Sequence, residues 1–191
     1  MKVIEIRRHS IAGHDGNLTE EGLALARSAG QTLSGPFERV FASPKARALQ
    51  TAEAFGFPSP EVVEELTTLS GEGFSPYQER IKWFASKKLS LLESYFAVPE
   101  IMPLLKKHGT MVLDALSTIA DDLPDGAAAL AVSHGGTIEP AALIALGGEF
   151  ELEAMGGELS CCEGVRFGYV HNRILLVETI RLPGGAQSLK T

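Results

Sequence analysis

The feature that most constrains the fold is an apolar run at residues 127–134, AAALAVSH, that no charged residue interrupts. A run without polar alternation is typical of a strand buried on both faces, as in parallel sheets covered by helices. Asp125-Gly126 predicts a turn into this strand. His134-Gly135-Gly136 ends the run, and the residues that follow predict a helix to about Leu146.

Strands and helices alternate along the rest of the chain. Further strands are predicted at residues 2–7, 38–42 and 61–66, and as a hairpin within 158–181 with its turn at His171-Asn172-Arg173. Helices are predicted at 18–34 behind an N-terminal cap at Thr19, at 44–55 with Ser43 as cap and Pro44 first, and within 76–123. This alternation predicts an α/β three-layer sandwich, with a mostly parallel central sheet flanked by helices.

Composition excludes several classes of protein. The chain has 191 residues, 45% of them apolar, which predicts one domain over residues 1–191 with a core that needs no disulfides. The net charge of −7 disfavours a nucleic-acid partner. Cys161 and Cys162 are adjacent, so neither a disulfide framework nor zinc-ligand spacing is present in the sequence. The charged N-terminus does not fit a signal peptide, and no apolar run reaches the roughly 18 residues of a membrane span, so we expect a cytoplasmic protein.

Basic side chains and imidazoles follow three of the predicted strands. Arg8 and His9 follow the first strand, Arg47 lies in the first turn of the helix after the second, and His134 follows the buried run. In parallel sheets, ligands bind beyond the carboxyl ends of the strands. Guanidinium groups pair with phosphate oxygens, and helix N-termini add free N–H groups. Each residue alone is typical of a surface or structural position, but together they indicate a site for a tetrahedral dianion.

Four motifs carry a family resemblance. Arg8-His9-Ser10 is similar to an RHG signature, residues 18–22 fit LTxxG, residues 43–52 fit SPxxRAxQTA, and residues 133–136 read SHGG, like a second-histidine motif. In this order they resemble the histidine phosphatase superfamily, branch 1, the phosphoglycerate-mutase-like group. The resemblance runs from residue 3 to about 146, and the long arginine segment is its most specific part.

The resemblance implies a metal-independent phosphatase with a phosphoglycerate-mutase-like fold and no cofactor. His9 would be the nucleophile that takes the phosphoryl group, and Arg8, Arg47 and His134 would hold its oxygens. The expected substrate is a small-molecule phosphate ester or a phosphohistidine. Ser10 replaces the usual glycine of the signature. Its hydroxyl would either contact phosphate, as an added binding group, or cap the loop.

The catalytic acid departs from the family pattern. The family usually has a Glu or Asp after the third strand, but residues 64–73 read EELTTLSGEG, which is similar to the form in small bacterial phosphohistidine phosphatases. Glu65 is the first candidate, followed by Glu72 and Glu64, with Glu139 a more distant one. A solvated acidic face is the alternative for each of them.

The departure from the family's usual acid motif bears on which substrates the site can hydrolyse. An alkoxide leaving group needs a proton from a positioned acid, whereas the imidazole of a phosphohistidine can leave neutral. A site without a well-placed carboxylate would therefore suit N–P substrates better than alkyl phosphates.

Other readings stay open at this point. The helical segment 76–123 is either a cap that selects a small substrate, an outer packing layer or a dimer contact. Phosphoglycerate-mutase-type transfer, non-catalytic binding of a phospho-ligand, and a metal site on His9 and His134 are the competing functions. The intact set of histidines and arginines argues against a non-catalytic binder, and the arginines would repel a cation. The physiological substrate and the oligomeric state are left open.

Overall fold

A six-stranded mixed sheet forms the centre of the fold. The computed structural model describes residues 1–71, 73–147 and 150–183. The strands are β1 (Lys2–Arg8), β2 (Arg39–Ala42), β3 (Glu61–Val62), β4 (Ala128–Ser133), β5 (Gly164–Val170) and β6 (Arg173–Ile180). Their order across the sheet is β3-β2-β4-β1-β5-β6. The four strands from β3 to β1 are parallel, and β5 and β6 are antiparallel additions, which confirms the predicted mostly parallel sheet.

Helices cover both faces of this sheet. They are α1 (Glu20–Gly30), α2 (Ala46–Ala54), α3 (Gln78–Ala85), α4 (Leu91–Phe96), α5 (Met102–Asp122) and α6 (Ile138–Leu146). Short 3-10 turns occur at Glu64–Leu66, Ser75–Tyr77, Pro99–Ile101 and Leu152–Met155. None of the helices in the described part of the chain has the length and apolar character needed to cross a membrane.

Strand β4 is buried on both faces, as its apolar run predicts. Leu130 and Val132 pack in one core cluster with alanines of α1 and α2. Ala129 and Ala131 point to the other face and belong to the larger cluster that includes side chains of α5 and α6. All four side chains are fully buried. Because successive side chains of a strand alternate between faces, one apolar strand supplies both cores.

Two local predictions are corrected by the structure. The strand predicted at 61–66 ends at Val62, because β2 itself ends at Ala42 and offers no backbone partner beyond it. The chain then enters the 3-10 turn at Glu64–Leu66. Helix α2 begins at Ala46 with Lys45 as its N-cap, so Pro44 precedes the helix rather than opening it.

Other local predictions are confirmed. The Thr19 hydroxyl accepts a hydrogen bond from Gly22 N–H and caps α1. His171 and Asn172 have positive φ angles of 49° and 58°, as a two-residue hairpin turn between β5 and β6 requires. The segment 76–123 is largely helical. Its longest helix, α5, buries Val112 and Leu116 in the main core, so this part is a packing layer.

A buried ion network lies under the end of β1. The Glu5 side chain is fully buried and accepts hydrogen bonds from Arg7 Nε at 2.7 Å and from Arg166 Nη2 at 2.9 Å. Arg7 is 1% exposed, and its Nη1 donates to the Cys162 carbonyl oxygen at 3.1 Å. A buried charge is tolerated only when it is paired in this way, so the network fixes β1 against the neighbouring β5 region immediately before Arg8.

Candidate functional site

Three loops meet at the carboxyl edge of the parallel strands. β1 and β4 are neighbours, with Arg8 opposite Ser133, so His9 and His134 leave the sheet side by side. The backbone N–H of His9 donates to the Ser133 carbonyl oxygen at 2.8 Å. The two imidazole rings lie edge to face with their centroids 5.1 Å apart. Arg47, on the first turn of α2, reaches the same place from the far side of β4.

The tautomer of His9 is set by its two hydrogen bonds. Nδ1–H donates to the Ser10 carbonyl oxygen at 2.6 Å, because a carbonyl can only accept. Nε2 therefore carries the lone pair, and Arg47 Nε–H donates to it at 2.9 Å. Burial, joined by the charges of Arg47 and Arg8 and opposed by the hydrogen bond to Ser10, lowers the pKa of His9 to about 4. The ring is therefore neutral near pH 7, with its lone pair pointing at a guanidinium group.

His134 is more deeply buried than His9. Its side chain is 1% exposed, and Nε2 lies 2.7 Å from the Ser43 hydroxyl oxygen. Burial, then the neighbouring His9 and Arg47, lower the pKa of His134 to about 2. Nδ1 is buried and has no hydrogen-bond partner among the described residues. A buried polar atom without a partner is uncommon in a folded protein, and here it adjoins the His9 ring.

The two arginines place positive charge beside these rings. Arg8 Nη1 donates to the Leu159 carbonyl oxygen, while Nε is buried without a partner in the described part of the chain. The guanidinium lies so close to Gly135 that a Cβ there would be 3.0 Å from Arg8 Cζ, so a side chain at this position would displace it. Burial and the charge of Arg8 lower the pKa of Arg47. Two neighbouring guanidinium groups repel each other, and an anion between them would remove that repulsion.

Ser10 is turned away from this cluster. Its hydroxyl donates to the Gly22 carbonyl oxygen at 2.7 Å, and its backbone N–H donates to the Thr51 hydroxyl oxygen at 3.0 Å. Both donors are thus used in holding the loop against α1 and α2. This geometry corrects the expectation of a phosphate contact through the Ser10 hydroxyl and fits the capping alternative.

Two of the acids predicted from the sequence, Glu64 and Glu65, are not in contact with the site. Glu64 and Glu65 are exposed on the 3-10 turn, whereas Leu66, the last residue of that turn, is buried. The Leu66 carbonyl oxygen accepts a hydrogen bond from the Ser133 hydroxyl at 2.7 Å. Across the described ranges, no hydrogen bond or ion pair links Glu64 or Glu65 to the two histidines or the two arginines. Glu72 lies outside the described residues.

Two other carboxylates adjoin the site. Glu158, which the sequence patterns missed, has Oε1 at 3.6 Å from Arg8 Nη1. Glu139 is fully buried, with one oxygen accepting from Gly136 N–H at 2.8 Å and the other from Leu159 N–H at 3.2 Å. Burial raises the pKa of Glu139. Its two bonds tie the second-histidine loop to the segment before β5.

A groove of about 1170 Å³ opens beside Glu158. One wall comes from the end of α3 and from α4, and the other from residues 150–158. Its side chains are mixed apolar and polar, among them Ser90, Glu93, Phe96, Phe150, Leu152 and Glu158. Helix α4 also approaches the loop that follows His134, because a Cβ on Gly136 would lie 3.1 Å from the Tyr95 ring. The α3–α4 part of the segment 76–123 therefore borders the site, unlike α5.

Comparison with known proteins gives the family. The family model described as "Histidine phosphatase superfamily (branch 1)" matches residues 6–177. The chain belongs to this superfamily. The search of curated protein sequences returned no match.

Solved structures of this superfamily's fold superpose over nearly the whole chain. Phosphoserine phosphatase from Entamoeba histolytica, in complex with 3-phosphoglyceric acid, is 21% identical, with a TM-score of 0.64 over 95% of this chain and 98% of that one. The protein histidine phosphatase SixA, complexed with tungstate, is 18% identical, with a TM-score of 0.59 over 93% and 96%. Phosphoglycerate mutase from Bacillus anthracis is 15% identical, with a TM-score of 0.60 over 92% and 91%. At these identities the likeness shows the shared fold, which is phosphoglycerate-mutase-like as predicted.

The chemistry of this histidine phosphatase site follows from its donor set. Among the described residues, the site brings together two guanidinium groups, an imidazole lone pair on His9 that accepts from Arg47, and two buried nitrogen atoms without partners. Nitrogen donors of this kind bind tetrahedral oxyanions, and a neutral imidazole lone pair can act as a nucleophile. No group of three His, Cys, Asp or Glu side chains in the described ranges is arranged to hold a metal ion.

Proposed function

We propose that the protein is a phosphatase that hydrolyses a phosphomonoester or a phosphoramidate through a phosphohistidine on His9. One observation carries this proposal, namely that the His9 Nε2 lone pair is held towards the Arg47 guanidinium. Phosphate oxygens would replace the imidazole as the acceptor of the Arg47 N–H, and Nε2 would then face phosphorus. No metal or cofactor is required, because the arginines supply the positive charge.

The reaction would proceed in two steps. In the first, the Nε2 lone pair forms a bond to phosphorus while the bond from phosphorus to the leaving group breaks, and the leaving atom keeps that electron pair. Arg8, Arg47 and the Nδ1 atom of His134 would hold the transferring oxygens and stabilise their charge. In the second step, water attacks phosphorus and the N–P bond breaks, which returns the lone pair to His9. The Nδ1–H bond to Ser10 would keep the ring oriented throughout.

We propose a small-molecule phosphate ester or phosphohistidine as the substrate. The groove beside Glu158 supports this proposal, because its volume suits a small organic group and its walls carry both apolar and polar side chains. The neighbours named above include a phosphoserine phosphatase and a protein histidine phosphatase, which act on O–P and N–P bonds respectively. We further propose that residues 76–101 form the cap predicted for this segment, since α4 walls the groove and contacts the second-histidine loop.

We also propose that the protein acts in the cytoplasm without a nucleic-acid partner. The thiols of Cys161 and Cys162 are free, as is usual in a reducing compartment. The net charge of −7 opposes binding to a phosphate backbone outside the site.

The test is hydrolysis of para-nitrophenyl phosphate in the presence of EDTA. The His9→Asn variant should lose roughly a thousandfold or more of the native activity, because it removes the nucleophile. His171→Asn is the matched control, since His171 is exposed in the β5–β6 turn and asparagine tolerates its positive φ. Mass spectrometry after alkaline quench should show one added phosphoryl group on the native protein only. Native-like activity of His9→Asn would overturn the proposal.

A further inference from the structure

The position of Glu158 is not explained by the proposed binding of phosphate. Its Oε1 lies 3.6 Å from Arg8 Nη1, while Oε2 is buried and has no hydrogen-bond partner among the described residues. The side chain as a whole is 19% exposed, so it reaches the groove. A buried carboxylate oxygen without a donor is costly, and the cost disappears when that oxygen carries a proton or meets a ligand.

Glu158 also lies between the place for the phosphate group of a substrate and the place for the organic group attached to that phosphate. It lines the groove and, of the groove-lining residues described, it is the one paired with a side chain of the phosphate site. Because Glu158 pairs with Arg8 and also lines the groove, we place the ester group of a phosphate bound by Arg8 and Arg47 on the side of the groove. The bond to be broken would then lie next to the free carboxyl oxygen.

We infer that Glu158 is the proton donor of the reaction, giving its proton to the leaving oxygen and later taking one from water. The inference rests on the proposed function. The other acids fit less well. Glu64 and Glu65 are exposed without contact to the site, and both oxygens of Glu139 already accept backbone N–H bonds.

Protons balance over the two steps of the proposed reaction. In the first, His9 Nε2 bonds to phosphorus, the P–O bond breaks, and the proton on Glu158 moves to the departing oxygen, which leaves as an alcohol. In the second, the Glu158 carboxylate takes a proton from water while the water oxygen bonds to phosphorus and the N–P bond breaks. His9 regains its lone pair, and Glu158 regains its proton.

Ligand binding would change the balance of charge around Glu158. The charged or titratable groups that face the Glu158 carboxyl are Arg8, Tyr95 and Glu139, with Lys88 and Glu93 among the groove-lining residues. Arg181 Nη1 donates to the Glu158 carbonyl oxygen at 2.7 Å. Of these cations, Arg8 is the one whose side chain pairs with the Glu158 carboxyl among the described residues. A dianionic phosphate on Arg8 would offset that charge and bring negative charge next to the Glu158 carboxyl. Burial and the charges of Glu158 and Glu139 raise the pKa of Tyr95 to about 12, so its hydroxyl stays protonated.

The inference also narrows the substrate class. Residues 64–73 lack the family's usual acid, and that gap alone favours N–P substrates. A carboxyl supplied by residue 158 fills the role from a different segment. The site is then equipped for alkyl phosphate esters, whose leaving groups need a proton.

The experiment compares two substrates that differ in their need for an acid. Para-nitrophenyl phosphate releases a weakly basic phenolate, whereas glycerol 2-phosphate releases a strongly basic alkoxide. The quantity to measure is kcat/KM, which reports transfer to His9 and excludes hydrolysis of the phosphohistidine. For Glu158→Gln we expect a fall of about a hundredfold or more on glycerol 2-phosphate and less than about tenfold on para-nitrophenyl phosphate. Glu158→Asp should recover part of the loss.

Two controls separate a proton donor from a structural residue. Glu53→Gln changes an exposed glutamate on α2 and should leave both substrates unaffected. In the native protein, kcat/KM for glycerol 2-phosphate should fall at high pH through a group that is absent from the para-nitrophenyl phosphate profile. This second readout needs no variant, so it holds even if Glu158→Gln misfolds.

The outcomes are distinguishable from a failure of the proposed function. If His9→Asn keeps full activity, the phosphohistidine proposal fails. If His9 is essential but Glu158→Gln lowers both substrates alike, Glu158 only positions Arg8 and the inference is overturned. It is also overturned if the selective loss appears in Glu65→Gln instead, or if the native protein turns over para-nitrophenyl phosphate but no alkyl phosphate.

Discussion

Acid should destabilise this protein through the two histidines of the site. Burial lowers the pKa of His9 to about 4 and that of His134 to about 2. In the unfolded chain each imidazole titrates near about 6.5. As the pH falls below that value, the unfolded chain binds protons that the folded chain rejects. The stability is therefore fully present above the unfolded pKa and is lost progressively on the way down to the folded value.

The size of the effect follows from these pKa values. A pH of about 5 lies roughly 1.5 units below the pKa of the imidazole in the unfolded chain, and each unit corresponds to about 1.4 kcal/mol. Between about pH 7 and about pH 5, each histidine should therefore lower the free energy of unfolding by about 2 kcal/mol, and the pair by about 4 kcal/mol. Burial also lowers the pKa of His108, which adds to the loss equally in all variants of the site.

Urea unfolding followed by circular dichroism at the two pH values measures this loss. His9→Asn and His134→Asn should each lose about 2 kcal/mol less than the native protein on acidification, because asparagine does not titrate. His171→Asn, at the exposed turn, should behave like the native protein. If the two site variants lose as much stability as the native protein, the imidazoles are not held neutral by burial and the reasoning is refuted.

Two further predictions concern residues that hold the site in place, the Glu5–Arg7 ion pair and Ser10. Glu5→Gln should lower the free energy of unfolding by about 3 kcal/mol, because it leaves the buried Arg7 guanidinium without a counter-charge. The double change Glu5→Leu with Arg7→Met should recover most of that loss in urea titration, and a single variant within about 1 kcal/mol of native would contradict the account. Ser10→Ala should cost about 1 kcal/mol by removing the bond to Gly22. Its phosphate affinity, measured by calorimetry, should not change, and a tenfold weakening would restore the phosphate-contact alternative.

The sequence predicts the sheet and the site's position because both depend on short-range patterns. The apolar run of β4, the hairpin turn at residues 171–172 and the cap at Thr19 are each encoded within a few neighbouring residues. The three strand ends that carry Arg8-His9, Arg47 and His134 then converge because parallel strands share one carboxyl edge.

The remaining features depend on contacts between distant segments. Glu158 lies in the irregular stretch before β5, where no periodicity distinguishes it from any other surface acid. Its relation to Arg8 arises only when β5 pairs with β1. The role of Ser10 also depends on a distant segment, because the packing of α1 brings the Gly22 carbonyl oxygen to its hydroxyl. The early end of β3 is set by the short length of its partner β2.

The hydrogen bond from Arg47 to His9 occupies the nitrogen atom that we propose as the nucleophile. With the lone pair of Nε2 occupied and the ring neutral, stray electrophiles meet an imidazole that is already engaged. Under the proposed mechanism, a phosphate group would offer the Arg47 guanidinium a better, charged acceptor and would release the His9 nitrogen as phosphorus arrives. The proposed nucleophile would then become available only when a phosphate-bearing ligand binds.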